Sequence, residues 1–242
     1  MVLLLLAGNS GLYAQTAASG FFELAAGPSF PTGRFGDKSF SGRLSTEKKP
    51  AGAAKTGFST QATAGYQLTS TVAVLLSGGL SWNKQDEAAV EKMGLSQTPS
   101  PFVKAETENW KTFRLLAGGQ FSAPIAAGSK LLFQVRLQAG ACKTTLPGYT
   151  YAVWGDDLYD PIASVTVSDI KLPWTFCYQV GAGFRYPASG KFYLLGDLSF
   201  FNAHPVYALD YEWQFPQPVS IHLDQTYSLS SVNVLVGAGI RL

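Results

Sequence analysis

The stretch Trp174-Thr175-Phe176-Cys177-Tyr178-Gln179-Val180-Gly181-Ala182-Gly183-Phe184-Arg185-Tyr186 divides almost completely into two rows when read with a period of two. In an extended strand the aromatic and aliphatic residues at even positions share one face, and Thr175, Cys177, Gln179, the glycines and Arg185 share the other. Residues 131–141 repeat the division, with Phe133, Val135, Leu137 and Ala139 opposed to Gln134, Arg136, Gln138 and Gly140. Residues 231–242 do so again, with Val232, Val234, Val236 and Ile240 opposed to Ser231, Asn233, Gly237 and Gly239. This alternation specifies strands, not helices.

A five-residue signature closes four such segments: Ala64-Gly65-Tyr66-Gln67-Leu68, Ala117-Gly118-Gly119-Gln120-Phe121, Ala182-Gly183-Phe184-Arg185-Tyr186 and Ala238-Gly239-Ile240-Arg241-Leu242. Four uses of a two-strand unit predict eight strands. Alternation and turn residues place them near 20–31, 57–68, 71–83, 109–122, 130–142, 172–187, 191–204 and 229–242. The connections alternate between tight turns, at Thr69-Ser70, Ala123 to Ser129 and Ala188 to Gly190, and four loops of roughly two dozen residues. Loops beyond about 15 residues are unusual in a compact soluble domain. Short turns at one end and long loops at the other describe a transmembrane β-barrel.

The apolar rows are long and bulky, so they fit outside a closed eight-stranded barrel better than within it. Turning Arg114, Arg136 or Arg185 toward lipid would cost about 2 to 4 kcal/mol each near the midplane. The same parity sets Tyr66, Phe121, Phe184, Tyr186 and Phe192 outward at the turn end. Phe30, Phe58, Trp82, Trp174 and Phe200 face outward at the loop end, and the two sets form interfacial girdles. Lys111 is the exception, a charge with lipid-facing parity near the loop-end interface. A net charge of +2 and 14% charged residues, without a basic stretch, exclude a nucleic-acid footprint. No apolar run reaches the roughly 18 residues of a membrane helix.

On these residues the chain resembles the eight-stranded OmpA/OmpX-type outer-membrane barrels, particularly the small barrels of Bacteroidetes-like bacteria. The resemblance covers residues 20–242, and Gly237, Ile240 and Leu242 occupy the positions of the family's terminal assembly signal. It implies an all-β, antiparallel up-and-down barrel in the bacterial outer membrane, inserted by the barrel-assembly machinery. Leu242 stands where the family usually carries Phe. Residues 1–15 read as a signal peptide that lacks its basic start, and 16–242 as a single barrel domain. The expected state is a monomer in contact with outer-membrane lipid and lipopolysaccharide.

The inward row predicts a polar network of Glu23, Arg114, Arg136, Arg185, Asp197 and Arg241. Counting from the turn end puts Glu23, Arg185 and Arg241 in a low cluster and Arg114, Arg136 and Asp197 at mid-height. Two readings stand: an interior closed by salt bridges and amides, or a narrow anion-preferring pore. A soluble ligand-binding barrel is the third. Cys142 and Cys177 lie inward on neighbouring strands, either bridged or reduced. They give no metal-ligand spacing, and no cofactor is expected.

The loop from Lys143 to Lys171 carries Tyr149, Tyr151, Trp154, Asp156, Asp157 and Tyr159, a mixture suited to a sugar or protein, or to folding over the barrel mouth. The first loop, 32–56, is rich in Lys and Arg and suits anionic lipopolysaccharide. His204 and His222 are the only histidines. His222 has Asp224 and Ser220, Ser228 and Ser230 nearby but no nucleophile motif, so the chain is read as a non-enzyme.

Overall fold

The computed structural model describes residues 19–41, 47–97, 102–154, 161–213 and 219–242. Eight long strands form its wall: β1 (Gly20–Pro31), β2 (Gly57–Gln67), β3 (Val72–Lys84), β4 (Asn109–Pro124), β5 (Leu132–Leu146), β6 (Thr175–Ser189), β7 (Phe192–Ala203) and β8 (Leu229–Arg241). Each pairs antiparallel with its neighbours in sequence, and β8 pairs with β1, from Phe21 opposite Arg241 to Pro31 opposite Ser231. The sheet therefore closes, which leaves no barrel strand with an unpaired edge. Gly128 and Gly190 take positive φ in two of the tight turns, where a side chain would be strained.

Burial alternates along every strand. Leu76, Leu137, Leu198 and Val236 are each more than half exposed, while their sequence neighbours Ser77, Arg136, Asp197 and Leu235 are buried. A monomer in water rarely exposes a continuous apolar surface of this kind; in hydrocarbon it is the favourable arrangement. Both expected girdles are present on the outer wall, from Tyr66, Phe121, Phe184, Tyr186 and Phe192 at the turns to Phe30, Phe58, Trp174 and Phe200 at the loops.

The long connections are more ordered than the sequence suggests. A helix, α1 (Glu87–Gln97), follows β3, and the segments Phe102–Thr107, Tyr149–Trp154 and Pro161–Val167 form a three-stranded sheet beside it. Val206–Trp213 and Val219–Thr226 form a hairpin beyond β7. Ile170–Lys171 pairs with the end of β5. The helix, the three-stranded sheet and the first loop make a cap at the loop end, with Phe40, Ala53, Val90, Met93, Tyr149 and Val153 at its core.

Candidate functional site

The interior is built in three levels. At the turn end, Glu23 on β1 accepts a hydrogen bond from Arg136 Nη2 on β5 at 2.5 Å, a second from Arg185 Nη2 on β6, and a third from Tyr193 Oη on β7 at 2.9 Å. One carboxylate thus ties four strands across the lumen. Arg136 Nε also donates to Gln120 Oε1 at 3.1 Å. The Arg185 guanidinium lies between two rings, 4.7 Å from the Phe21 centroid and 4.4 Å from that of Tyr193. A buried ion pair is tolerable only when such additional partners satisfy it.

At mid-height, Arg114 Nη2 donates to Ser59 Oγ at 3.0 Å and to Gln61 Oε1 at 3.5 Å. Gln179 Nε2 donates to the same Gln61 oxygen at 3.0 Å, and Gln138 Nε2 to Ser77 Oγ at 2.7 Å. The Arg114 side chain passes over Gly79, where a Cβ would lie 2.7 Å from Nε. No carboxylate pairs with Arg114 among the described residues, and its Nε and Nη1 and the Asp197 Oδ2 are buried without a protein partner.

The structure corrects the expected grouping at two points. Arg136, placed at mid-height by counting along its strand, instead joins Glu23, because the tilt of barrel strands offsets residues that are equally far from their turns. Arg241 keeps inward parity but is exposed at the end of β8, outside the buried network, because it is the last residue of the strand, paired with Phe21 at the turn-end rim of the barrel.

The loop end of the lumen is apolar. Phe35, Trp110, Leu146, Phe201, Tyr207 and Tyr227 belong to one buried cluster. Trp110 meets Phe35 edge-on at 5.3 Å and Tyr227 at 5.6 Å, and its Nε1 donates to the Gly52 carbonyl at 3.1 Å. Cys142 and Cys177 lie in the same cluster as free, buried thiols. Cys142 sits opposite Thr175 and Cys177 opposite Gly140, so the pair is diagonal across β5 and β6.

Two of the three tyrosines expected to recognise an external ligand, Tyr149 and Tyr151, are not available to one. Tyr149 and Tyr151 are buried on the inner face of the cap sheet, where strand alternation turns them toward α1, and Tyr149 meets Phe40 edge-on at 5.7 Å. Trp154 is half-buried. Asp156, Asp157 and Tyr159 lie outside the described residues, as do residues 1–18 and the side chain of His222; His204 is exposed beyond β7.

Charges of the first loop are largely tied to protein. Arg34 pairs with Asp37 and Glu47, each at 3.2 Å. The Ser39 amide and hydroxyl, with Arg34, hold the Asp37 carboxyl below its ordinary range. Lys55 and Lys38 reach Asp86 at 3.0 and 3.3 Å. Burial pushes the Asp86 pKa up, but the bonds from Lys55 and Lys38 outweigh it, so the carboxyl lies below its ordinary value. Asp86 also caps α1, with Oδ1 accepting from the Ala88 amide at 3.1 Å.

Sequence reading missed one cluster. Lys143 and Lys171, which mark the ends of a loop in the sequence, stand on the barrel wall beside Lys111. The overlooked signal is that β5 continues its alternation past Cys142 with the faces exchanged in character: Lys143 and Thr145 outward, Thr144 and Leu146 inward.

No protein-family model and no curated protein matches the chain. Solved structures similar to it include Neisserial surface protein A, at 10% identity and a TM-score of 0.48, covering 92% of this chain and 97% of that one. The attachment invasion locus protein Ail of Yersinia pestis is 11% identical with a TM-score of 0.43, over 93% and 99% of the two chains. A major outer membrane protein from Thermus thermophilus is 12% identical with a TM-score of 0.46, over 92% and 99%. Eight antiparallel strands closed on themselves, with an aliphatic outer wall between aromatic girdles, a polar interior and short turns opposite long loops, give this chain the architecture of a small outer-membrane barrel.

Proposed function

We propose that the chain is a monomeric integral protein of the bacterial outer membrane with a structural or surface-interaction role, its lumen closed to ions. The observation that carries this reading is the double layer across the interior. The Glu23–Arg136–Arg185 cluster spans the turn end, and the Phe35–Trp110–Tyr227 stack fills the loop end beneath an ordered cap. An eight-stranded barrel leaves room for side chains and little more. With the lumen so occupied, the cap is the part of the molecule that meets the outside, and no reaction is proposed.

Reconstitution into planar bilayers tests the closed lumen. The wild-type barrel gives no current steps, and truncating both layers, as in Glu23→Ala with Trp110→Ala, opens it. Steady conductance of the wild type overturns this reading. It would favour an anion-preferring pore, for which the observation is Arg114, a buried cation with no carboxylate partner among the described residues. Such a current would fall on Arg114→Gln.

A further inference from the structure

Lys111 on β4 lies between Trp82 on β3 and Thr145 on β5, and Thr145 in turn pairs with Lys171. One step nearer the membrane centre, Phe113 lies between Leu80 and Lys143. Three lysines from separate segments therefore converge on a single outward-facing patch. They surround a depression of about 270 Å³ whose walls also include Trp82, Phe113 and the Thr145 side chain. Phe113 meets Trp174 edge-on at 6.0 Å, on the membrane side of Lys111 and at the register of Lys143.

The lysines are exposed, and no carboxylate pairs with any of them among the described residues. Lys38, Lys55 and Lys84, which also lie at the loop end, are each held by an acidic side chain. Lysines on a hydrocarbon-facing wall would be costly unless their ammonium groups rise to the interface. The height of this patch, level with Trp82 and Trp174 of the loop-end girdle, puts them in the headgroup layer. Three uncompensated positive charges converging on this patch attract an anionic group, and Leu80 and Phe113, on the membrane side of Lys111 and beside Lys143, suit the chains to which it is attached.

We infer that Lys111, Lys143 and Lys171 form a binding site for the phosphate of a phosphorylated glycolipid in the loop-side leaflet, with Thr145 as an additional hydroxyl donor. The site sits on the barrel wall, away from the lumen and the cap core. Its occupant is a membrane lipid, not a free anion, because the depression opens sideways to hydrocarbon over Phe113 and Leu80. The inference rests on the membrane placement proposed above.

The test uses the full chain refolded into phosphatidylcholine bilayer discs that contain diphosphorylated lipid A, the same lipid with its phosphates removed, or neither. Insertion is first read from the heat-dependent shift of the folded band on a gel. A wild type that never shows the shift overturns the membrane reading and, with it, this inference. For inserted protein, lipid retained on the barrel is measured by native mass spectrometry. The diphosphorylated lipid is expected to be retained at least tenfold more than the dephosphorylated one. Lys111→Gln, Lys143→Gln and Lys171→Gln together should abolish that preference, whereas Lys92→Gln, Lys104→Gln and Lys130→Gln, at exposed lysines outside the patch, together should keep it. Equal retention of the two lipids by inserted wild type, an equal loss in the control triple variant, or full displacement by millimolar inorganic phosphate overturns the proposal while leaving the membrane placement intact.

Discussion

The ring of Tyr193 on β7 lies across the backbone of Gly239 on β8, so close that a Cβ on the glycine would come within 2.3 Å of the ring. Phe21 lies over Gly65 in the same way, with a Cβ position 2.1 Å from its Cζ. These two rings enclose Arg185, and Tyr193 also donates to Glu23. The glycine of the recurring signature is thus a seat for an aromatic side chain in its first and fourth copies. Gly239→Val should displace Tyr193 and cost about 1 to 3 kcal/mol, the usual range for overpacking. Urea unfolding from lipid vesicles measures it, and Tyr193→Ala in the same chain should recover part of the loss. An unchanged midpoint for the single variant would show that the contact is not limiting.

Glu23 is the only acid bonded to Arg136 and Arg185 among the described residues. Glu23→Ala leaves two buried guanidinium groups without a counter-charge, and removing one partner of a buried pair typically costs about 3 to 5 kcal/mol. The variant should fold less efficiently and unfold at lower urea. Adding Arg136→Leu and Arg185→Leu should restore much of the stability, because an apolar replacement removes the uncompensated charges too. If the triple variant is weaker than Glu23→Ala, the arginines are stabilising for another reason.

The wall was legible in the sequence because hydrocarbon on one side and a narrow lumen on the other impose a strict period of two. All eight strands lie within a few residues of where alternation and turns place them, and Glu23, Arg114, Arg136, Arg185 and Asp197 are buried as their parity requires. Parity failed where the solvent changes. Beyond the hydrocarbon the outer face meets headgroups and water, so β5 sets Lys143 outward and Leu146 inward, and the strand read as ending at Cys142 runs on. The inner face is also less polar than expected: Leu75, Trp110, Leu116, Phe201 and Leu235 point inward, and apolar residues on both sides of a strand leave no contrast to read. The burial of Tyr149 and Tyr151 depends on the pairing of Tyr149–Trp154 with Phe102–Thr107, more than forty residues earlier, and such a partner leaves no local signature.

Asp86 makes the cap sensitive to acid. Its carboxyl is held below its ordinary value of 3.8 in the folded protein, so it contributes stability that is fully present at neutral pH. That contribution is lost as pH falls through the ordinary value toward the folded one, when protonation breaks the bonds from Lys55 and Lys38 and weakens the cap on α1. Protection of the α1 amides, measured as exchange relative to the intrinsic rate at each pH, should therefore fall below about pH 4 while the barrel strands stay protected. Asp86→Asn, which keeps a capping oxygen but loses the charge, should show the lower protection already at pH 7. Asp86→Ala should cost about 1 kcal/mol more locally, the typical worth of an N-cap.

The diagonal placement of Cys142 and Cys177 predicts that both remain thiols. Diagonal neighbours across an antiparallel pair have Cα atoms roughly 7 to 8 Å apart, beyond the usual span of a disulfide. Protein isolated from membranes without reductant should resist a maleimide reagent while folded, since both thiols are buried. It should then take up two labels per chain on unfolding. Zero labels would establish a bridge, and require β5 and β6 to shift locally toward one another.

Leu137 decides the orientation of the whole wall. It stands near the middle of β5, is 64% exposed, and is flanked in sequence by the buried Arg136 and Gln138. If the outer face meets hydrocarbon, Leu137→Arg should cost about 2 to 4 kcal/mol, whereas an arginine at Leu242, beyond the end of β8 at the turn-end rim, should cost about 0 to 1 kcal/mol. In a barrel surrounded by water the order would reverse or vanish, because an arginine on an exposed face is harmless there. Folding yield into vesicles and the urea midpoint of the two variants separate these cases. The comparison needs both positions, since a general intolerance of new charge would lower the two alike, while a depth-dependent penalty can come only from a hydrocarbon layer around the strands.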